Sequence, residues 1–468
     1  MNIFELSKKI KEGKLTSVEL TEKCLKAISE NDFNGRKLNS VAELNPDALF
    51  IARALDKELK EKGPRSPLHG IPVLVKDNID VKGMHNTAGS YALNDLLPEK
   101  DAPVIENLKK AGAVILGKAN MSEFAYWMST EGMPSGFSSR CGQVVHPYVK
   151  GVDPSGSSSG SGVAAAARFT PYTIGTETDG SLTSPACANC ISTIKPTIGV
   201  VSRSGILPIS SYQDTAGPMA PTIGECALIL NYLQGVDSED PSTLVLEEKD
   251  YTAELGLGIE GMKFGIVEIT SKKISDRKKE YNEKLKNLLT ELGAEYVDVK
   301  IDMSGVDEME CLKHEFKNGL NKYLSSHNSK IRNLSEIIEF NKNNAERCLV
   351  HGQNLLEESD EKSGNYTEPE YINERVYITN KAKSLIEDTL KEYGLTCLIS
   401  AQQNSLSAIS GNPTISIPAD DIDVNDPKPI SYFLYGKAFD EVRLFRVADA
   451  IERKLGLRKK PEWVDEIL

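Results

Sequence analysis

Two stretches concentrate the side chains most able to do chemistry, residues 153–162 (DPSGSSSGSG) and 175–186 (GTETDGSLTSPA). Serine and glycine at this density gather several hydroxyls without bulky neighbours and let the backbone approach a bound molecule closely. A flexible linker has a similar composition, but a linker would not run straight into the alanine-rich residues 161–168 and the apolar 172–175 that follow. Attack by a serine hydroxyl, assisted by a base, is the chemistry these residue types could support.

Other motifs compete for that role. Gly156, Ser158 and Gly160 fit the G-x-S-x-G spacing of a nucleophile elbow, which would make Ser158 the nucleophile of a different serine hydrolase. An elbow needs an apolar strand directly before the serine and a catalytic histidine after it. Here residues 147–155 read as loop, and His314, His327 and His351 fall in a polar region where solvated surface positions are expected. Residues 112–119 (GAVILGKA) meet the spacing of a phosphate-binding loop until Ala119, which cannot supply the hydroxyl that holds magnesium. The residues between are strand formers, so a strand is the better reading. Ser192 with Lys195, and Ser275 with Lys278, match a four-residue S-x-x-K pattern too common to count alone. Cys187 and Cys190 lack a second pair and no H-E-x-x-H occurs, so neither a metal nor a cofactor is expected.

The elements that must position these residues alternate in type. Residues 17–28 and 46–62 show amphipathic helical spacing, so the N-terminal 1–62 is expected to be helical. Residues 70–75 and 113–116 read as buried strands around a helix at 104–110, which is an α/β pattern. The loop 147–162 feeds a helix at 161–168 and a short strand at 172–175. Residues 263–269 and 295–301 read as strands around a helix at 276–292, which fits a parallel crossover. Residues 307–393 are charged and helical in pattern and look like a cap. Strands return at 396–400 and 414–417 before a final helix at 439–455. No repeat or linker divides the 468 residues, so a single domain is expected.

Composition narrows the partners. A chain with 40% hydrophobic residues has ample material for a core, and a net charge of −13 offers no basic footprint for nucleic acid or anionic lipid. Residues 1–13 lack the pattern of a secretory signal, and no apolar run approaches the roughly 20 residues of a spanning helix. Eight scattered cysteines suit a reducing compartment. A cytoplasmic protein with no membrane or nucleic-acid partner is expected.

Assembled in order, these blocks resemble the amidase-signature family over most of the chain. Residues 70–80 (GIPVLVKDNID) are similar to the block that holds the family's catalytic lysine, here Lys76. Residues 88–90 and 117–124 follow as in the family. Residues 154–162 resemble its G-S-S-x-G-S block, which places the cis-serine at Ser157, and 175–186 its G-T-x-x-x-G-S block, which places the nucleophile at Ser181. The separation of 24 residues between the two serines is the family's spacing. Lys195 to Thr197, residues 411–418 and the start of the last helix complete the pattern. Thr183 stands where the family often has arginine, and Cys190 and Thr193 replace usual glycines, which bears on local backbone and pocket lining. Residues 341–347, 352–356 and 142–148 look like the bacterial peptide-amidase branch.

The resemblance implies an α/β fold with a large mixed sheet covered by helices on both faces. It also implies a serine hydrolase that cleaves a carboxylic amide through an acyl-enzyme, acting on a small-molecule or peptide amide. In that scheme Ser181 attacks, Ser157 relays its proton, Lys76 is the ultimate base, and Ser158 supports Lys76 by a hydrogen bond. The backbone N–H groups of Thr178, Asp179, Gly180 and Ser181 would form the oxyanion hole. Without the resemblance, a surface Lys76 paired with Asp77 or Asp80 is an equally good reading. Two other functions stand beside it: the glutamine-hydrolysing component of a tRNA-dependent amidotransferase, and a non-catalytic protein that depends on a partner. The cap is expected to offer a largely apolar slot for the acyl group.

Overall fold

Strands with no polar alternation, such as PVLVK at 72–76 and VILGKA at 114–119, are stable only where both faces are covered. In the structure, a computed structural model describing residues 1–422, 427–457, 460–461 and 463–464, every residue of both strands is buried. They lie in an eleven-stranded mixed sheet. Its strands are β1 Val41–Leu44, β2 Pro72–Lys76, β3 Val114–Ala119, β4 Tyr172–Glu177, β5 Ser192–Lys195, β6 Thr215–Ala220, β7 Lys263–Ile269, β8 Glu295–Ile301, β9 Cys397–Ser400, β10 Thr414–Pro418 and β11 Ser431–Tyr435. Across the sheet they run β1-β3-β2-β4-β6-β5-β10-β11-β9-β7-β8.

β2 pairs in parallel with both β3 and β4, with Val75 opposite Ile174. That register sets Lys76, the last residue of β2, beside the end of β4, so the ends of both strands open on the same edge of the sheet. In open α/β sheets ligands bind in the crevice outside such carboxyl ends. The helix Ser159–Ala166, rich in alanine and buried throughout, packs on β2, β4 and β6 and fixes the serine loop that precedes it. The expected crossover is present: β7 and β8 are parallel and joined by the helix Asp276–Glu291.

The N-terminal region differs from the all-helical expectation. Helices Ile3–Lys11 and Ser17–Ile28 each start with a capping box, from Asn2 and Thr16, and Ala48–Lys62 is also helical. Between them β1 joins the sheet edge, antiparallel to β3. Four residues are too few for a periodicity to reveal such a strand. β5, β6 and β11 are likewise not distinguished by sequence pattern. β6, with a glycine and a proline in TAGPMA, carries the punctuation of a loop, and only its neighbours on both sides make it a strand.

The region 307–393 is helical, with Met309–Ser326 and Pro369–Tyr393 its longest members. Phe316, Leu320 and Leu324 pack with Met121, Phe124 and Trp127, seating these helices on the loops above the sheet. The histidines expected at the surface partly turn inward. His314 is 8% exposed and lies against the ring of Tyr371, and His327 binds the buried Asp80 at 2.8 Å.

Candidate active site

Lys76 is fully buried, and its Nζ lies 2.8 Å from Ser157 Oγ, 3.1 Å from the carbonyl oxygen of Thr176 and 2.9 Å from Thr176 Oγ1. Asn78 donates to the same Thr176 hydroxyl at 3.0 Å. Burial pushes the lysine pKa down to about 7, and the nearest negative charges, on Asp214 and Glu177, only partly oppose it. Asp214 is itself raised to about 6 by burial. The alternative partners of Lys76 are occupied elsewhere. Asp77 lies 3.7 Å from Lys118 and 3.3 Å from Arg140, and Asp80 accepts from Tyr323, Asn86 and His327.

Ser157 follows a cis peptide from Gly156, and its carbonyl accepts from Ser122 N at 3.1 Å. Ser158 does not bond to Lys76, contrary to expectation. Its Oγ donates to the Thr176 carbonyl at 3.0 Å, and its N–H binds the Ser181 carbonyl at 3.2 Å. Two donors, Lys76 and Ser158, therefore converge on one carbonyl, and the serine loop is tied to the turn that carries Ser181. Gly175 permits this approach, since a Cβ there would stand 2.8 Å from Ser158 Oγ. Ser158 is fully buried and meets no histidine, which removes the elbow reading. Lys118, the lysine of the loop-like 112–119, is buried on β3 and donates to the carbonyls of Ile79 and His85.

After β4 the chain turns sharply through Thr178, Asp179 and Gly180 to Ser181, with Gly180 at a φ of +76° that favours glycine. Among the described residues, none accepts from the backbone N–H groups of these four, and none bonds to Ser181 Oγ. The turn is held from below. Glu177, buried, accepts from the N–H groups of Leu182 and Thr183 at 2.7 and 2.9 Å and from Thr183 Oγ1 at 3.2 Å. Gln403 donates to Thr183 Oγ1 at 2.9 Å and accepts from Ser184 at 2.7 Å, and Thr178 Oγ1 donates to Asp214 at 2.5 Å. Thr183, where the family often has arginine, is thus part of the scaffold of the turn. Cys190 takes a φ of +51°, keeping the conformation natural to the glycine it replaces.

The structure therefore brings Lys76 and Ser157 into contact and hangs Ser181 on a neighbouring turn. Thr176, Asn78, Glu177, Asp214 and Gln403 escaped the sequence reading. Thr176 and Glu177 lie inside a motif already singled out, and their buried positions facing the lysine and the turn are what mark them. Gln403 has no local signal.

The amidase family profile matches residues 19–393. A probable amidase of Arabidopsis thaliana is 34% identical over 97% of this chain and 90% of its own length. The native peptide amidase of Stenotrophomonas maltophilia superimposes with a TM-score of 0.93 at 35% identity, covering 99% of each chain. An amidase family protein of Bacillus anthracis gives 0.93 at 39% identity, over 99% of this chain and 92% of its own. A glutamyl-tRNA(Gln) amidotransferase component of Coxiella burnetii is 37% identical over 64% of this chain and 60% of its own length. With the first three of these relatives spanning nearly its whole length and a serine turn set beside a buried lysine, the chain belongs to the amidase family, hydrolases that cleave carbon–nitrogen amide bonds.

Proposed function

We propose that the protein is a free-standing amidase that converts primary amides, including C-terminal amides of short peptides, to acid and ammonia, with Ser181, Ser157 and Lys76 as its catalytic residues. The observation that carries this reading is the environment of Lys76 Nζ. A neutral amine has two protons and one lone pair, and the carbonyl and hydroxyl of Thr176 supply two acceptors for the protons. The lone pair is left for the third neighbour, the Ser157 hydroxyl at 2.8 Å. A lysine with a pKa near 7 is neutral in a large fraction of molecules at neutral pH, so it can accept that proton.

The steps follow. Ser181 Oγ bonds to the amide carbon while its proton passes to Ser157, whose own proton passes to Lys76. The oxygen that becomes negative is stabilised by the uncommitted N–H groups between Thr178 and Ser181. The C–N bond then breaks, and the nitrogen leaves as ammonia with the proton returned through Ser157. Water repeats the sequence on the acyl-enzyme, releasing the acid and restoring the Ser181 hydroxyl.

In sequence, the match to a probable amidase runs over 97% of the chain and that to the amidotransferase component over 64%, which supports the free-standing reading. The test is ammonia release by the isolated chain from a panel of aryl, aliphatic and peptide primary amides. Turnover without any added protein is expected. Silence across the panel, followed by glutamine-dependent ammonia release only with partner protein and tRNA, would transfer the assignment to the amidotransferase.

Thr176 gives a separate check. Thr176→Val keeps the carbonyl but removes the hydroxyl oxygen that accepts from Lys76 and Asn78. That oxygen stabilises the ammonium form more than the amine, so its loss should move the acid limb of the pH profile to lower pH. A fall in kcat of about tenfold should accompany it, since a positioning hydrogen bond is lost. An unmoved limb would mean that Thr176 Oγ1 does not reach the working lysine.

A further inference from the structure

The turn that carries Ser181 also carries a carboxylate with an unusual neighbour. Asp179, two residues before Ser181, is exposed, and its Oδ2 accepts from Ser405 at 2.8 Å. Facing it is the carboxyl of Glu308, which stands at the N-cap of the cap helix Met309–Ser326. Glu308 is 8% exposed, and no hydrogen-bond donor reaches its Oε2. Burial first, and the charge of Asp179 second, hold Glu308 well above the ordinary carboxylate range.

Among the described residues no lysine or arginine forms an ion pair with Asp179 or Glu308. Arg375, whose field reaches Glu308, directs its donors to Glu315 at 2.8 and 2.9 Å and to Gln213 at 2.8 Å. Asp307 and Met309, which flank Glu308 in the chain, line a groove of about 700 Å³ that carries six carboxylates from Asp307 to Glu374, against Lys362 and His314. Such a groove concentrates cations from solution. Two carboxyls in contact must share a proton or hold a cation between them.

We propose that Asp179 and Glu308 form the subsite for a positively charged group of the substrate, an ammonium or guanidinium close to the amide that Ser181 attacks. The enzyme then prefers cationic amino-acid or peptide amides. This inference rests on the amidase reading above and specifies the substrate class of the same site. It replaces the largely apolar slot expected from the sequence with an acidic one on the Asp179 side. A buried acid with no cationic partner discriminates strongly, because a cation completes it, a neutral group leaves it as it is, and an anion adds repulsion.

The experiment compares kcat/KM at pH 7 for Nα-acetyl-leucinamide, leucinamide, Nα-acetyl-argininamide and the α-amide of Nα-acetyl-glutamate. The second and third place the cation on the α-nitrogen or on the side chain and so separate its two sources. At least one of them should exceed the neutral amide by roughly tenfold, with the glutamate amide the poorest. Glu308→Gln and Asp179→Asn should each collapse that cationic-to-neutral ratio to within about threefold. A neutral amide as good as both cationic ones, or a ratio unmoved in both variants, overturns the proposal. If no amide is turned over, calorimetric binding of the same four compounds to the Ser181→Ala protein decides. A cationic preference lost with Glu308→Gln upholds the subsite while the amidase reading falls, and an absent preference sinks the subsite itself.

Discussion

Replacing Ser181 by alanine should abolish amide hydrolysis while leaving the fold in place. The expected fall in kcat is about 10⁴-fold or more, the scale on which an enzyme loses its nucleophile, equivalent to about 5 kcal/mol of transition-state stabilisation. Stability should change by no more than about 0.5 kcal/mol, because Ser181 Oγ makes no hydrogen bond to the described residues and the turn is held by Glu177 and Gly180. The measurement is ammonia release together with thermal unfolding of the same samples. If Ser181→Ala kept substantial activity and Ser158→Ala lost it, the nucleophile would be the other serine. The structure argues against that outcome, since Ser158 Oγ is buried and committed to the Thr176 carbonyl.

The second large effect is at Lys76. Lys76→Ala and Lys76→Arg should be equally inactive, again by about 10⁴-fold, because arginine keeps the charge but cannot give up its proton to become a base. Activity of the native protein should rise with pH through about 7 as the lysine loses its proton. The same group leaves a signature in stability. Its folded pKa lies below the unfolded value of 10.5, so between about 7 and 10.5 the unfolded chain binds a proton that the native state lacks. Stability therefore rises with pH across that window, and below it the folded state carries a constant penalty for burying charge. Lys76→Met, which fills the space without a titratable group, should remove this pH-dependent component. Native protein and Lys76→Met with parallel stability curves from pH 7 to 10 would show that the lysine keeps its proton in the fold. Substantial activity in Lys76→Arg would require another base.

Burial lowers the pKa of Lys76 and of Lys118 alike, and what separates the two lysines is the set of groups around each. Lys118, one strand over, is equally buried, but it sits 3.7 Å from Asp77 and donates to two carbonyls, a structural cation that ties β3 to the loop after β2. Lys76 lacks a contacting carboxylate, and its neighbours are hydroxyls and a carbonyl. The two residues look alike in sequence, each a lysine at the end of an apolar run, and only the ends of the neighbouring strands separate their chemistry.

Local and patterned features are encoded in the chain without reference to its fold. Runs such as 72–76 and 114–119 are apolar on both faces and can exist only inside a covered sheet, and the β-helix-β spacing at 263–301 dictated a parallel pair. The capping boxes at Asn2 and Thr16 start their helices through contacts three residues long. The serine and glycine blocks, with Lys76 ahead of them, identified the family and the residues worth testing. These features are legible because each is encoded within one turn, one strand or one motif.

Tertiary structure decided the rest, because it depends on residues brought together from far along the chain. That Lys76 meets Thr176 follows from the parallel register of β2 and β4, and no spacing within either strand reports it. The role of Ser158 changed for the same reason: the Thr176 carbonyl takes its hydroxyl, where sequence order suggested the lysine. β6 became a strand because it is paired on both sides, against the preference of its own glycine and proline. Glu308 and Asp179, 129 residues apart in the chain, face each other only because the cap helix begins at the serine turn. A residue's type sets what it can do, but its burial and partners set its charge and therefore what it does, and those are properties of the folded chain alone.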